Sequence, residues 1–241
     1  MDNIVTSSSP IKASMLQEGA VILIDKPLTW TSFDVVNKLR FSIKHHLGVK
    51  KYKVGHAGTL DPLATGLLLV CISKYTKKID ELVAIDKSYT GLIQLGRSTP
   101  TYDAESLPDI YYPKVKVSSE MIEAAKADFL GVGWQYPPMY SAIKVKGTPL
   151  YKLARRGKKV QLEKRPIRLT ELSLQLHQGH QIYLDVCCSK GTYIRSLAHD
   201  IGKYLGTGGY LIQLRRTAIG SFSVEKAITI DQFVQQIELL K

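Results

Sequence analysis

Gly55-His56-Ala57-Gly58-Thr59-Leu60-Asp61-Pro62-Leu63-Ala64-Thr65-Gly66, running into the apolar Leu67-Leu68-Leu69-Val70-Cys71-Ile72, is the stretch on which the reading of this chain depends. Proline pushes the residue before it out of the helical region, so Asp61 sits on an extended or turning backbone. Gly55, Gly58 and Gly66 permit sharp turns or close approach to the main chain. The apolar run is short and bounded by turn signals, which suits a buried strand, although a buried helix segment has the same pattern. One carboxylate and one imidazole are thereby expected on a constrained loop at the edge of the core. A generic Asp-Pro is more often only a turn former.

Around this stretch the chain alternates irregularly between strand and helix signals. Residues 1–18 read as a flexible tail, with Ser7-Ser8-Ser9-Pro10 its most polar part. Ala20 to Asp25 reads as a strand stopped by Lys26-Pro27. Thr31 caps a helix, with Asp34 completing a capping-box-like pair and Val36, Leu39 and Ile43 on its buried face. Lys74 to Val83 reads as helical. Ser88 to Leu95 alternates like a half-buried strand, with Tyr89, Gly91, Ile93 and Leu95 on one face. An acidic, turn-rich loop containing Asp103 follows, then a helix from Ser118 to Leu130 that Gly131 to Pro138 breaks. Ile167–Leu176 and Ile182–Cys188 form a hairpin turning at Gly179-His180, with a phase change that implies a bulge. Ser189-Lys190-Gly191-Thr192 opens a helix whose apolar stripe is Ile194, Leu197, Ala198, Ile201 and Leu205. Arg195 flanks that stripe and can reach inward. Tyr210–Leu214 is a further strand and Ile228–Leu240 a further helix. Mixed order without strict alternation implies a largely antiparallel α+β domain.

The charge balance points to a polyanion. Lysine and arginine number 33 against 21 acids, a formal +12 over 241 residues, and nucleic acid is the first class of partner that such a balance suits. From Lys144 to Arg168 there are ten cations and the single acid Glu163. Lys144, Arg155, Arg156, Lys158 and Lys159, with Tyr140 and Tyr151 interleaved, read as a basic RNA-contacting arm at about residues 135–168. Three cysteines, two of them adjacent, offer neither a disulfide framework nor metal spacing. No signal-peptide core and no membrane-length apolar run is present, so a cytoplasmic protein is expected.

Without a metal cluster or a nucleotide-binding glycine fingerprint, the chemistry open to these residues is narrow. Asp61 can act as a general base or as a nucleophile. A glycosidase would want a second carboxylate in a recognisable pattern, and none accompanies Asp61. His56 suits a structural or base-stacking role. Residue patterns alone end at a nucleic-acid-binding protein with a candidate Asp nucleophile.

The loop from Gly55 to Gly66 closely resembles the catalytic motif of the bacterial tRNA pseudouridine-55 synthases, the TruB family. Asp25-Lys26-Pro27, Lys87-Ser88-Tyr89, Pro138-Met139-Tyr140-Ser141-Ala142-Ile143-Lys144, Ser189 to Arg195 and Leu214-Arg215-Arg216-Thr217 resemble that family's other motifs and follow in its order. The resemblance implies a single catalytic domain over residues 19–241, with a mixed, largely antiparallel central sheet flanked by helices. It implies isomerisation of uridine 55 in the tRNA T-loop without cofactor or metal; a monomer is expected separately, because no exposed apolar stripe demands a partner. Asp61 would be the nucleophile, at ribose C1′ or at uracil C6. The arginine matching Arg195 pairs with that aspartate in the family, and the tyrosine matching Tyr89 stacks on the flipped base. The residues matching His56, Lys26 and Leu214 hold the RNA or support the site.

Two departures accompany the match. The family's Lys-Pro-x-Gly reads Lys26-Pro27-Leu28-Thr29 here, so that turn is expected to differ. A C-terminal PUA-like domain, common among relatives, is not expected. Two other readings remain: a non-catalytic RNA-binding or RNA-folding protein on the same scaffold, and a synthase for a different RNA. If the arm contacts phosphates, neutralising Arg155, Arg156, Lys158 and Lys159 together weakens tRNA binding and flattens its dependence on salt. Filter binding between 50 and 200 mM salt is the measurement, and an unchanged slope removes the arm from the interface.

Overall fold

The computed structural model describes residues 3–240 except 114, 159 and 179. Internal packing divides the chain into two units, Met1–Tyr89 with Leu214–Lys241, and Thr90–Gln213. The first unit begins with β1 (Ile4–Val5), α1 (Ala13–Glu18), β2 (Ala20–Lys26), α2 (Ser32–Leu47), β3 (Val54–His56), β4 (Ala64–Ile72) and α3 (Ile79–Ala84). β5 (Lys87–Leu95) carries the chain into the second unit. There follow β6 (Arg97–Ser98), β7 (Ile110–Tyr111), α4 (Ser119–Phe129), β8 (Gly131–Gln135), β9 (Lys144–Val145) and β10 (Thr148–Pro149). Next come α5 (Leu150–Arg155), β11 (Arg165–His177), β12 (Gln181–Cys188) and α6 (Ile194–Tyr204). β13 (Gly209–Ile219) returns the chain to the first unit, which adds β14 (Phe222–Ser223) and α7 (Ile230–Glu238). Strands pair mostly antiparallel, with β1–β2 and β4–β13 parallel, and helices flank them, as the α+β reading expects.

β4 organises the first unit because it is hydrogen-bonded on both edges. Along one edge it runs antiparallel to β2, from Ala20 opposite Ile72 to Lys26 opposite Gly66. Along the other it meets β13 at Ala64–Gly66 and β3 at Val70–Ile72. Both faces are covered as well. Leu68, Val70 and Ile72 join Ile22, Ile24 and the inner faces of α2 and α7, while Leu67, Leu69 and Cys71 join Val21, Leu23, Leu82 and Ile219. A strand covered on both faces needs no polar alternation, which explains the unbroken apolar run. The capping box of Thr31 and Asp34 forms as expected, and Gly48 closes α2 at φ 65.

The N-terminal segment is not the loose tail expected from its serines. Val5, Ile11, Met15 and Leu16 are buried in the core under α2 and α7, β1 pairs with β2, and α1 precedes Gly19. Apolar residues spaced through a polar segment carried that signal. The stretch from Lys74 to Val83 is also divided, into a 3-10 turn at Ser73–Lys78 and then α3.

In the second unit the strand order is β5-β12-β11-β8, with α4 packed against β11. The expected hairpin forms from β11 and β12, and its register shifts between Leu169 and Glu171, the expected bulge. Gly179, the expected turn residue, lies outside the described residues. Gly131 to Gln135 is a strand and not merely a break. After Gly131 at φ 98 it pairs antiparallel with β11, placing Trp134 opposite Pro166. Two glycines and an outward Val132 and Trp134 hide its periodicity. Cys71 and Cys187 are free thiols, Cys71 buried and Cys187 half-buried. Among the described residues no helix is long and apolar enough to cross a membrane.

The turn between β2 and α2 has a glycine's backbone without a glycine. Thr29 stands at φ 70, the left-handed region, with its N–H donated to the Pro62 carbonyl at 2.8 Å. A side chain with a Cβ is disfavoured there by about 1–2 kcal/mol, while glycine loses more freedom on folding. Thr29→Gly is therefore expected to stabilise the fold by up to about 1 kcal/mol, seen as a higher urea midpoint at unchanged slope. A lower midpoint would mean that the threonine side chain itself holds the turn.

Candidate active site

In the first unit the loop between β3 and β4 is fastened at four places around Asp61. The Leu60 N–H donates to Ser32 Oγ at 2.9 Å, and that buried hydroxyl donates back to the Leu60 carbonyl at 3.2 Å. The Pro62 carbonyl accepts from the Thr29 N–H and, at 3.5 Å, from Lys26 Nζ. The Gly58 carbonyl accepts from Arg216 Nη2 at 3.1 Å. Gly66, at φ 102, lies so close to β13 that an added Cβ would stand 2.3 Å from the Arg216 main-chain oxygen. Asp61 itself is half-buried, and its carbonyl accepts from Ala64 N–H in a turn at 3.0 Å. A carboxylate is thus held on a backbone with little freedom to shift.

Buried cations surround this loop. Lys26 is 0 % exposed, Arg216 1 % and Lys87 6 %. Each donates to main-chain carbonyls. Lys26 reaches Pro27 and Trp30 at 2.9 and 2.6 Å besides Pro62, Arg216 reaches Leu67 at 2.6 Å besides Gly58, and Lys87 reaches Val83 and Ile85. An ammonium has three donors, and Lys26 has three carbonyls around it. Burial nevertheless pushes the Lys26 ammonium down to about 8; Asp61 opposes that shift, Arg216 adds to it, and Asp34 opposes it. Burial and Arg216 push the His56 imidazole below its ordinary value, with the Gly58 backbone opposing, so His56 is neutral at pH 7. Its Nδ1 is buried without a hydrogen-bond partner among the described residues.

Four of the sequence motifs therefore meet at one loop. Lys26 and Arg216 bond it directly, and the Lys87 side chain passes 3.7 Å from where a Gly58 Cβ would be. Leu214 lies beside Ala64 in the β4–β13 register. Asp25 binds Arg215 through both oxygens, at 3.0 and 2.7 Å. Tyr89 is buried on β5, two residues from Lys87.

In the second unit another pair of motifs converges on Arg195. This residue, the second of α6, is buried, with Nη1 donating to the Thr101 carbonyl at 3.0 Å and Nη2 to the Tyr140 carbonyl at 2.9 Å. Its Nε stands 3.6 Å from Asp103 Oδ2. Asp103 is buried too, accepting from Thr101 Oγ1 at 2.6 Å and Glu105 N–H at 3.0 Å. Gln135 and Tyr193 exchange hydrogen bonds, and Ser196 Oγ donates to the Tyr136 carbonyl. Tyr140 is thus placed beside Arg195 through its main chain. The arm residues Lys144, Arg155, Arg156 and Lys158 are exposed. Arg155 has an exposed contact of 3.4 Å with Glu105, and such surface pairs contribute little. Lys159 lies outside the described residues.

Ser32, Lys87, Asp103 and Arg216 escaped the reading of single residues. Arg216 and Lys87 counted there only as motif members, and Asp103 as a loop acid. Nothing in periodicity marks a buried cation whose partners are main-chain carbonyls.

Known proteins resemble this chain along nearly its whole length. The model described as TruB family pseudouridylate synthase (N terminal domain) matches residues 44–194, and that of the tRNA pseudouridylate synthase B C-terminal domain matches residues 195–241. A tRNA pseudouridine synthase B of Flavobacterium johnsoniae is 47% identical over 222 residues, covering 92% of this chain and 97% of its own. Its counterpart in Parabacteroides distasonis is 46% identical over 221 residues, covering 90% and 94%. Among solved structures, a chain from a Cbf5-Nop10-Gar1 complex superposes with TM-score 0.69 at 29% identity, over 97% of this chain. Another, from an H/ACA RNP bound to a substrate RNA containing 2'-deoxyuridine, gives 0.65 at 28% identity over 95% of this chain. This chain spans 59% and 56% of those two.

The depressed Lys26 ammonium makes stability depend on pH. Its folded value near 8 lies below the ordinary 10.5, so the unfolded chain binds more protons between those values. Lys26 then contributes a term that rises with pH across that window, by about 2 kcal/mol from pH 8 to 10. Urea unfolding of wild type and Lys26→Met at pH 8, 9 and 10 measures this. The wild-type free energy is expected to gain on the variant as pH rises, and parallel curves would place the Lys26 ammonium at its ordinary value.

Proposed function

Because the chain belongs to the TruB family of pseudouridylate synthases and is a pseudouridine synthase, we propose that its substrate is tRNA and its target uridine 55 of the T-loop. Asp61 is the nucleophile in this reading. It breaks the C1′–N1 glycosidic bond, the uracil turns, and C5 rejoins C1′, with no atom gained or lost. Tyr89 stacks on the flipped base and is a candidate for the proton transfer at C5. Arg195 is the cation serving the nucleophile, and His56 and Leu214 contact the displaced RNA. Residues 19–241 form the catalytic domain in this reading, which works as a cytoplasmic monomer with its arm at about 135–168 along the RNA.

The observation that carries this reading is the mounting of Asp61. A half-buried carboxylate stands on a loop held at Gly58, Leu60, Pro62 and Gly66 by buried groups. Nucleophilic attack rewards a carboxylate fixed near its target, because orientation is settled before the reaction begins. Unstacking a base takes a few kcal/mol, and stacking on an aromatic ring returns roughly 1–3 kcal/mol. The two are comparable, so phosphate contacts along the exposed arm suffice to tip the balance. A loop nucleotide is easier to extract than a paired one, which favours a T-loop target.

Carbodiimide mapping of pseudouridine on unmodified tRNA tests the reading. Wild-type protein is expected to produce a reverse-transcription stop at uridine 55, and Asp61→Asn none, with tRNA affinity retained. A stop elsewhere would keep the chemistry and change the target. A stop with Asp61→Asn would remove Asp61 as nucleophile, and binding without any stop would favour a non-catalytic RNA-folding role on this RNA.

A further inference from the structure

Tyr102 stands at φ 62, where a side chain is disfavoured, between two of the residues that hold Arg195. On one side of it the Thr101 carbonyl accepts from Arg195 Nη1 at 3.0 Å, and on the other the Asp103 carboxylate faces Arg195 Nε at 3.6 Å. The chain turns sharply at Tyr102, and the acceptors on either side of it meet one guanidinium. The main chain supports that turn, with Tyr102 N–H on the Thr99 carbonyl at 3.1 Å and Leu211 N–H on the Tyr102 carbonyl at 3.0 Å. The Tyr102 side chain is held separately. Its ring lies on the His199 imidazole, with centroids 4.0 Å apart and planes within 19°.

His199 and Arg195 are four residues apart on α6 and so share a helix face. We propose that His199 is a positioning residue for the reaction: its ring clamps the Tyr102 turn in the shape that keeps Thr101 and Asp103 on the Arg195 guanidinium. This rests on the reading that Arg195 serves the nucleophile. The imidazole meets Tyr102 through its flat face. Its Nδ1 is buried with no hydrogen-bond partner among the described residues. Burial and Lys203 push it below its ordinary value, with Asp109 opposing, so it stacks as a neutral ring. Burial, with Asp200 and Asp109 nearby, pushes the Tyr102 phenol up, so that ring is neutral as well. Two neutral rings in near-parallel stacking attract beyond the area they bury, and the attraction opposes relaxation of the left-handed turn.

Shape without hydrogen bonding predicts that a phenyl ring substitutes for the imidazole. Single-turnover rate and tRNA affinity are to be measured for wild type, His199→Ala, His199→Phe, Arg195→Lys and the double variant Arg195→Lys/His199→Ala. His199→Ala is expected to slow turnover roughly three- to ten-fold with affinity unchanged, and His199→Phe to restore it. An ammonium at 195 cannot make the forked contacts with Thr101 and Asp103. In the Arg195→Lys background, His199→Ala is therefore expected to have little further effect. A purely structural histidine would slow both backgrounds equally, and that result overturns the proposal. So does a His199→Phe protein as slow as His199→Ala. Full turnover by Arg195→Lys would remove the guanidinium from the reaction, and this inference with it. A slow Arg195→Lys beside a fully active His199→Ala would sink the His199 role alone.

Discussion

A charge buried away from water must find partners, and in this protein the partners of Lys26 and Arg216 are main-chain carbonyls, one for each of them on the loop that presents Asp61. Lys26 binds Pro27, Trp30 and Pro62, and Arg216 binds Gly58 and Leu67. Leaving a buried charge unpaired is far more costly than bending a loop. The loop is therefore tied at Pro62 and at Gly58 to side chains that cannot easily do without partners. The core beneath it makes the same demand in apolar terms. β4 is covered on both faces and bonded on both edges, so the strand that follows the loop cannot yield either.

Those cations also shape the electrostatics. Their donors are engaged by neutral carbonyls, which orient toward positive charge without cancelling it. Arg216 weighs on both Lys26 and His56, pushing each toward its neutral form, while Asp61 draws Lys26 the other way. The loop that carries the carboxylate thus lies in a positive region of the first unit, a setting that suits an anionic RNA as well as an anionic side chain. In the second unit a different device serves Arg195. Two carbonyls and a buried carboxylate fix the guanidinium plane, and the carboxylate is itself fixed by Thr101 and Glu105.

Much of this was legible in the residues. The capping box at Thr31, the alternation of β5, the bulge in β11 and the two-sided burial of Leu67 to Ile72 follow from local periodicity and turn chemistry. The order of the motifs carried the family. What local pattern could not supply was the identity of partners far apart in sequence: Ser32 with Leu60, Arg216 with Gly58, Asp103 with Arg195. Each is an ordinary polar residue until the fold brings its partner. The strand at Gly131 and the packed segment before Ala20 were missed for a related reason. Glycines at Gly131 and Gly133, and the Ser7-Ser8-Ser9-Pro10 run, drew the reading toward turn and tail, while the apolar residues that tie these segments to neighbours, Val5 and Leu16 among them, follow no regular period.

The first unit is completed by distant parts of the chain, and this has a consequence during synthesis. Leu214 to Arg216, the part of β13 that pairs with β4, and α7 are translated only after all of Thr90–Gln213, a delay on the order of ten seconds. Through that interval β4 lacks the β13 partner along one edge, and the apolar face of β2 and β4 lacks Phe233 and Ile237. The growing chain thus emerges from the ribosome with its most apolar strand only partly covered. Either β2 and β3 shield it from neighbours in the meantime, or a chaperone must.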